Sequence, residues 1–157
     1  MTATEELIRK FYTSFQKRDF RGMQACYHDE VIFSDPVFQH LKGKEAKAMW
    51  EMLVTASTDL SITFDSIHSN DTQGKCRWEA SYTFSRTGRK VHNIIHSSFQ
   101  FRDGKISRHD DKFDFWRWSR MALGAPGVLL GWTPLLQNKV RKMARYNLSK
   151  FLSNRGN

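Results

Sequence analysis

The sequence predicts an α+β fold, with helices first and an antiparallel meander after them. Three observations point there. Early in the chain apolar residues recur at helical spacing, as in Leu7, Ile8, Phe11 and Phe15. Later they alternate, as in Cys76, Trp78, Ala80, Tyr82 and Phe84. Between two later apolar runs lies Asp103-Gly104, a two-residue hairpin signal.

The elements follow in order. A helix is expected from about Thr4 to Lys17, with Thr4 as N-cap and Glu5 and Glu6 at the positive helix start. A short helix spans about Phe20 to Tyr27. The run Val31, Ile32, Phe33 reads as a strand that stops at Asp35-Pro36, because proline cannot continue a central ladder. Gly43 breaks the following loop, and a helix from Lys44 to about Ala56 carries Ala46, Met49, Trp50 and Leu53. Leu60, Ile62 and Phe64 alternate, as do residues 76–84. Gly88 marks a turn, a long strand runs from Val91 to Arg102, and the last strand is expected from Lys105 to about Trp118. After Pro134 a helix presents Leu136, Val140, Met143, Ala144, Leu148 and Phe151 on one face. Its Lys139, Arg141, Lys142 and Arg145 are expected in solvent.

Composition narrows the function classes. The chain has 157 residues, enough for one domain with a sizeable core. Its two cysteines, Cys26 and Cys76, lie far apart and read as reduced thiols. No Cys/His spacing suggests zinc, and the neighbours His109, Asp110 and Asp111 diverge along a strand, so neither metal nor cofactor is expected. The start MTATEELIRKFY has no apolar signal core, and no apolar run is long enough to span a bilayer. A cytoplasmic protein is therefore expected. The net charge is +9, yet all 16 acidic residues lie within residues 1–114, and residues 115–157 hold 8 of the 25 Lys and Arg. The basic character belongs to the C-terminal segment, and charge alone, without an RNA-binding aromatic signature, does not indicate a specific nucleic-acid partner.

The stretch DEVIFSDPVFQHLKGKEAKAMW, with the preceding helix RKFYTSFQKRD and the later FRDGKISRHDDKFD, resembles the SnoaL-like and ketosteroid-isomerase-like proteins of the nuclear transport factor 2-like superfamily. The resemblance covers about residues 4–116. It implies a cone-shaped curved sheet wrapped around N-terminal helices, a homodimer, and a pocket for a hydrophobic small molecule. It also implies two sets of catalytic residues. In the isomerases the Asp before Pro is the general base, which here is Asp35. Phe11 stands where they carry a donor Tyr, and their second donor falls near His96 or Ser97. In the cyclases the Asp ending the strand after Asp-Gly-Lys-Ile is the acid/base, which counts to Asp114, with His96 near the pocket histidine.

Asp35 lies where a strand stops and the chain turns, so its carboxylate could work as a base at the rim or inside of a concavity. Strand parity puts Asp110, Lys112 and Asp114 on one face and Asp111, Phe113 and Phe115 on the other, unless a bulge intervenes. The expected pocket lining is Phe11, Tyr12, Phe15, Trp50, Tyr82, Asp111, Phe113 and Trp116. Domain organisation is read as 1–116 for the cone and 117–157 for a basic, apolar extension. That extension is a lid, a contact to a second subunit, or a membrane-surface element. The function expected is binding of an apolar molecule, with proton transfer of isomerase, cyclase or dehydratase type. The alternatives are binding without chemistry and an interaction role for the extension.

Overall fold

A computed structural model describes residues 1–155. Among these the elements run α1 (Ala3–Gln16), α2 (Phe20–Ala25), β1 (Tyr27–Ser34), β2 (Leu41–Lys42), α3 (Lys44–Ala56), β3 (Ser61–Ser69), β4 (Gln73–Phe84), β5 (Arg89–Arg102), β6 (Lys105–Lys112), α4 (Phe115–Leu123), α5 (Ala125–Leu130) and α6 (Pro134–Arg155). The strands form one curved, unclosed sheet in the order β2-β1-β6-β5-β4-β3. Strands β3 to β6 make the expected meander. One seam differs from it: β1 lies parallel to β6, with Phe33 beside His109 and Ser34 beside Asp110.

Local chemistry sets the boundaries. The cap of α1 is Thr2, two residues before the position read from sequence, and its hydroxyl accepts from the Glu5 amide. Asp19 caps α2 by accepting from the Gly22 amide. Gly43 takes a positive φ of 50° at the entry to α3, where an added Cβ would press on the Asp29 carbonyl at 2.8 Å.

The concave face of the sheet closes over α1 and α3 with rings. Phe11 stacks on Tyr27 at 5.3 Å and meets Tyr12 and Trp50 edge-on at 5.1 and 5.5 Å. Phe15 meets Trp50 at 5.2 Å and Trp78 at 5.4 Å. These geometries add to an already large apolar burial. The convex face is polar: Glu79 binds Arg77 at 3.0 Å and His92 at 2.7 Å. Cys26 and Cys76 are both buried and free, and burial pushes their thiols up to about 11 and about 12.

Residues past 115 pack on the cone. Phe115, Trp118 and Ala122 form a second apolar cluster with Val91, joined by Val37, Tyr82 and Val140. Leu148 of α6 enters the main core at 1% exposure, with Ala144, Phe151 and Leu152 around it. Arg145 and Arg155 reach Glu45 and Glu51 of α3 at 3.7 and 3.2 Å. Lys139, Lys142 and Arg145 are exposed as expected, whereas Arg141 is half-buried because its guanidinium donates to the Pro36 carbonyl at 2.9 Å. Because Leu148 is fully enclosed, Leu148→Ala should cost about 2–5 kcal/mol, read as a shift of the urea midpoint. An unchanged midpoint would mean that α6 is not anchored in the core.

Candidate active site

Inside the cone the alternation of β5 turns Val91, Asn93, Ile95, Ser97 and Phe99 inward. Ser97 lies directly opposite Asp111 of β6, and Phe99 opposite His109. This register brings Ser97, His109 and Asp111 together, with exposures of 2%, 0% and 5%.

These residues belong to one hydrogen-bonded network whose directions can be read from donor capacity. The Trp50 indole donates to the Tyr27 hydroxyl at 2.8 Å, and that hydroxyl is 2.7 Å from His109 Nδ1. With its oxygen accepting from Trp50, Tyr27 donates to Nδ1. His109 then carries its proton on Nε2 and donates it to Asp111 Oδ1 at 2.8 Å. On the other side the Trp78 indole donates to Ser97 Oγ at 2.8 Å, and the Tyr12 hydroxyl lies 2.7 Å from the same oxygen. Ser97 donates its single proton to Asp111 Oδ1 in a short hydrogen bond, so it accepts from both Trp78 and Tyr12. Two donor chains thus converge on one oxygen of Asp111. Its second oxygen has no protein hydrogen bond among the described residues. Ser97 has its donor and both acceptor sites filled, which argues against it as a nucleophile. Burial, followed by the charge of Asp111, holds the Tyr12 hydroxyl well above its ordinary pKa.

Asp35 sits just past the end of β1. Its Oδ1 accepts from the Val37 and Phe38 amides at 2.7 and 2.5 Å, which holds the side chain over the turn that follows. Asp35 keeps some exposed surface as a residue, but desolvation raises its carboxyl from 3.8 to about 7. The two amides oppose that rise and the charge of Asp111 adds to it. This end of the cone is roofed by α4 and α6. Trp118 donates its indole N–H to Tyr82 at 2.9 Å, and Arg141 holds Pro36, next to Asp35. Asn93 is 6% exposed and points inward, and its amide makes no hydrogen bond among the described residues.

The structure therefore sorts the residues expected from sequence. Phe11, Tyr12, Phe15, Trp50 and Asp111 are buried inside the cone, and Tyr82 and Phe113 are half-buried beneath the roof. The charge of Asp111 reaches Asp35 and helps to raise its carboxyl. Three residues lie elsewhere. His96 is exposed on the convex face opposite Arg77, because Ser97 takes the inward position. Asp114 is exposed and caps α4 by accepting from the Arg117 amide at 3.0 Å, because β6 ends at Lys112 and not at Trp118. Trp116 is 40% exposed and lies beneath the guanidinium of Arg120 at 4.3 Å. Sequence reading did not single out Asn93 or His109 as parts of the site. Asn93 interrupts the inward apolar run of Val91 and Ile95, and that was the available signal; His109, between Ser107 and Asp111 on its face, had none.

Two surface depressions of about 580 and 470 Å³ lie outside this site. The first is lined by Arg89, Lys90, Arg117, Arg120 and Met121, and the second lies around the β3–β4 turn. Among the described residues no three His, Cys, Asp or Glu side chains converge as a metal site.

A model of the SnoaL-like domain matches residues 8–109. Among solved structures, a nuclear transport factor 2-like protein of unknown function from Burkholderia pseudomallei superposes with a TM-score of 0.68 at 16% identity, covering 78% of this chain and 99% of that one. A candidate polyketide cyclase from Xanthomonas campestris gives 0.63 at 20% identity, covering 76% and 95%. An LEH-like epoxide hydrolase from Mycobacterium tuberculosis gives 0.63 at 16% identity, covering 80% and 93%. At these identities the likeness is one of fold. No curated protein matches the sequence.

Proposed function

Because this chain belongs to the SnoaL-like domain family, we propose that it binds a small, largely apolar molecule beneath the roof and moves a proton on it. The observation that carries this reading is the unequal pair of inward carboxyls. Asp111 accepts two hydrogen bonds on one oxygen and leaves the other free, so it serves as the base. Asp35, raised to about 7, holds a proton near neutral pH and serves as the acid. Carboxyls set apart by their surroundings divide acid and base work between them. The unspent amide of Asn93 holds the oxygen of a carbonyl or epoxide, and the surrounding rings hold the apolar remainder. Admission of a ligand requires α4 and the start of α6 to lift, since Trp118 and Arg141 close this end. Likeness in fold to proteins named for cyclase and epoxide hydrolase activity is consistent with such chemistry. The family resemblance also suggests a homodimer, which light scattering of the full chain would detect.

A second reading is a carrier without chemistry. It is favoured by the way the interior donors are spent. Tyr12 and Trp78 both serve Ser97, and Phe11 offers none.

Hydrogen–deuterium exchange separates the two. With 2-indanone and 2-tetralone in deuterated buffer, the protein should accelerate exchange beside the carbonyl above the buffer rate. Asp111→Asn should lower that acceleration by at least about 100-fold. Quenching of tryptophan fluorescence by the same ketones without any exchange would replace the enzyme reading with the carrier.

A further inference from the structure

We propose that the corner formed by α5 and the outer face of α6 docks on an anionic phospholipid membrane. The apolar part comes first. Val128, Leu129, Leu130, Trp132 and Leu135 are exposed by 49, 69, 44, 65 and 76%. They are successive or nearly so in sequence and make one protrusion, a concentration of exposed apolar surface that a soluble monomer rarely carries unpartnered. Its shape is fixed from below. Trp116 donates to the Val128 carbonyl at 3.2 Å, and Trp132 donates to the Leu129 carbonyl at 3.1 Å.

Positive charge surrounds the protrusion. On one side Arg120 lies over Trp116 and leads to the depression that it lines with Arg89, Lys90 and Arg117. On the other side α6 carries an exposed stripe. Leu135, Lys139, Lys142, Tyr146 and Lys150 fall within about 80° of one another at 100° per residue. The opposite face of α6, with Leu148, faces the core. Residues 115–157 contain no acid. An apolar ridge flanked by lysines and aromatic rings is the pattern of a segment that lies in a bilayer interface.

The chemistry selects this occupant over others. A second copy docked symmetrically would set these cations against themselves, with no carboxylate on the segment to answer them. A nucleic acid would match the charge but leave Leu129, Trp132 and Leu135 without an apolar partner. No helix among the described residues is long and apolar enough to cross a membrane, so the contact is peripheral.

Flotation of the full chain with vesicles tests the proposal. Binding is expected to phosphatidylcholine vesicles containing 30% phosphatidylglycerol, to be lost on pure phosphatidylcholine, and to weaken steeply as salt is raised. The variant Leu129→Ser/Trp132→Ser/Leu135→Ser should abolish it. Lys139→Gln/Lys142→Gln should weaken it about 30-fold. These side chains are solvent-exposed, and among the described residues the only hydrogen bond removed with them is that of Trp132 to Leu129, so circular dichroism should not change and the melting profile should move little. Equal binding to both vesicle types, binding unaffected by the triple variant, or no binding at low salt overturns the proposal. A dimer that the triple variant dissociates also overturns it, since the ridge would then be a subunit contact. Competition by glycerol 3-phosphate without vesicle binding would assign the cationic depression to a soluble phosphate instead.

Discussion

Asp35→Asn should make the protein more stable at pH 8 and leave its stability at pH 4 nearly unchanged. The sign follows from proton binding. The Asp35 carboxyl is near 3.8 in the unfolded chain and about 7 when folded, raised by desolvation. Below about pH 4 both states hold the proton, and the group contributes no difference. Between about 4 and 7 the folded state holds a proton that the unfolded state has lost, so stability falls as pH rises. Above 7 the folded protein carries a desolvated charge at its full cost. A shift of this size corresponds to at most about 4 kcal/mol, and the partial exposure of Asp35 reduces it. Asparagine keeps an oxygen for the Val37 and Phe38 amides and cannot ionise. Urea unfolding of both proteins across this range would show two curves that separate as pH rises. Curves that stay parallel would mean that Asp35 is hydrated and unsuited to the role of acid.

At Asp111 the two obvious variants should part company. Asp111→Ala removes the acceptor shared by Ser97 and His109, which are 2% and 0% exposed. Leaving two buried donors unanswered should cost about 3–5 kcal/mol, or a melting temperature lower by about 10 °C for a chain of this length. Asp111→Asn keeps an oxygen for both donors and should lose far less stability, while losing the capacity to take a proton. It also removes a negative charge that raises Asp35, so the pH window of Asp35 should move downward in this variant. Equal destabilisation by both substitutions would mean that the negative charge, and not the acceptor, holds the network together.

Much of this was legible in the sequence, for identifiable reasons. Helical spacing placed Phe11 and Phe15 in the core, and alternation gave β3 and β4, because each pattern follows one face of one element. The Asp-Pro strand end placed Asp35, since the proline acts locally. The site was harder where it depends on pairing. Whether His96 or Ser97 faces inward is fixed by the register of β5 on β4 and β6, and a one-residue slip exchanges the two faces. The same register selects Asp111. Asp114 was expected at a strand end by counting from Asp103-Gly104, but β6 stops at Lys112. The helical set Phe115, Trp118, Ala122 starts only after Asp114 has capped the turn. The parallel seam of β1 on β6 had no local signal, since it joins residues more than seventy positions apart.

That seam also governs the order in which the chain can mature during its synthesis. β6 lies between β1 and β5, so β1 has no partner on its inner edge until residue 112 has been made. Long before then Phe11, Phe15, Phe33 and Trp50 have emerged, while the meander meant to enclose them still lacks the strand that joins it to β1. A nascent chain of this kind spends most of its elongation as a helix-rich fragment with bare rings and an open strand edge, a species prone to association. The final closure waits further, for Leu148. Dependence on chaperones should therefore be concentrated on incomplete chains and fall away once the last helix is released.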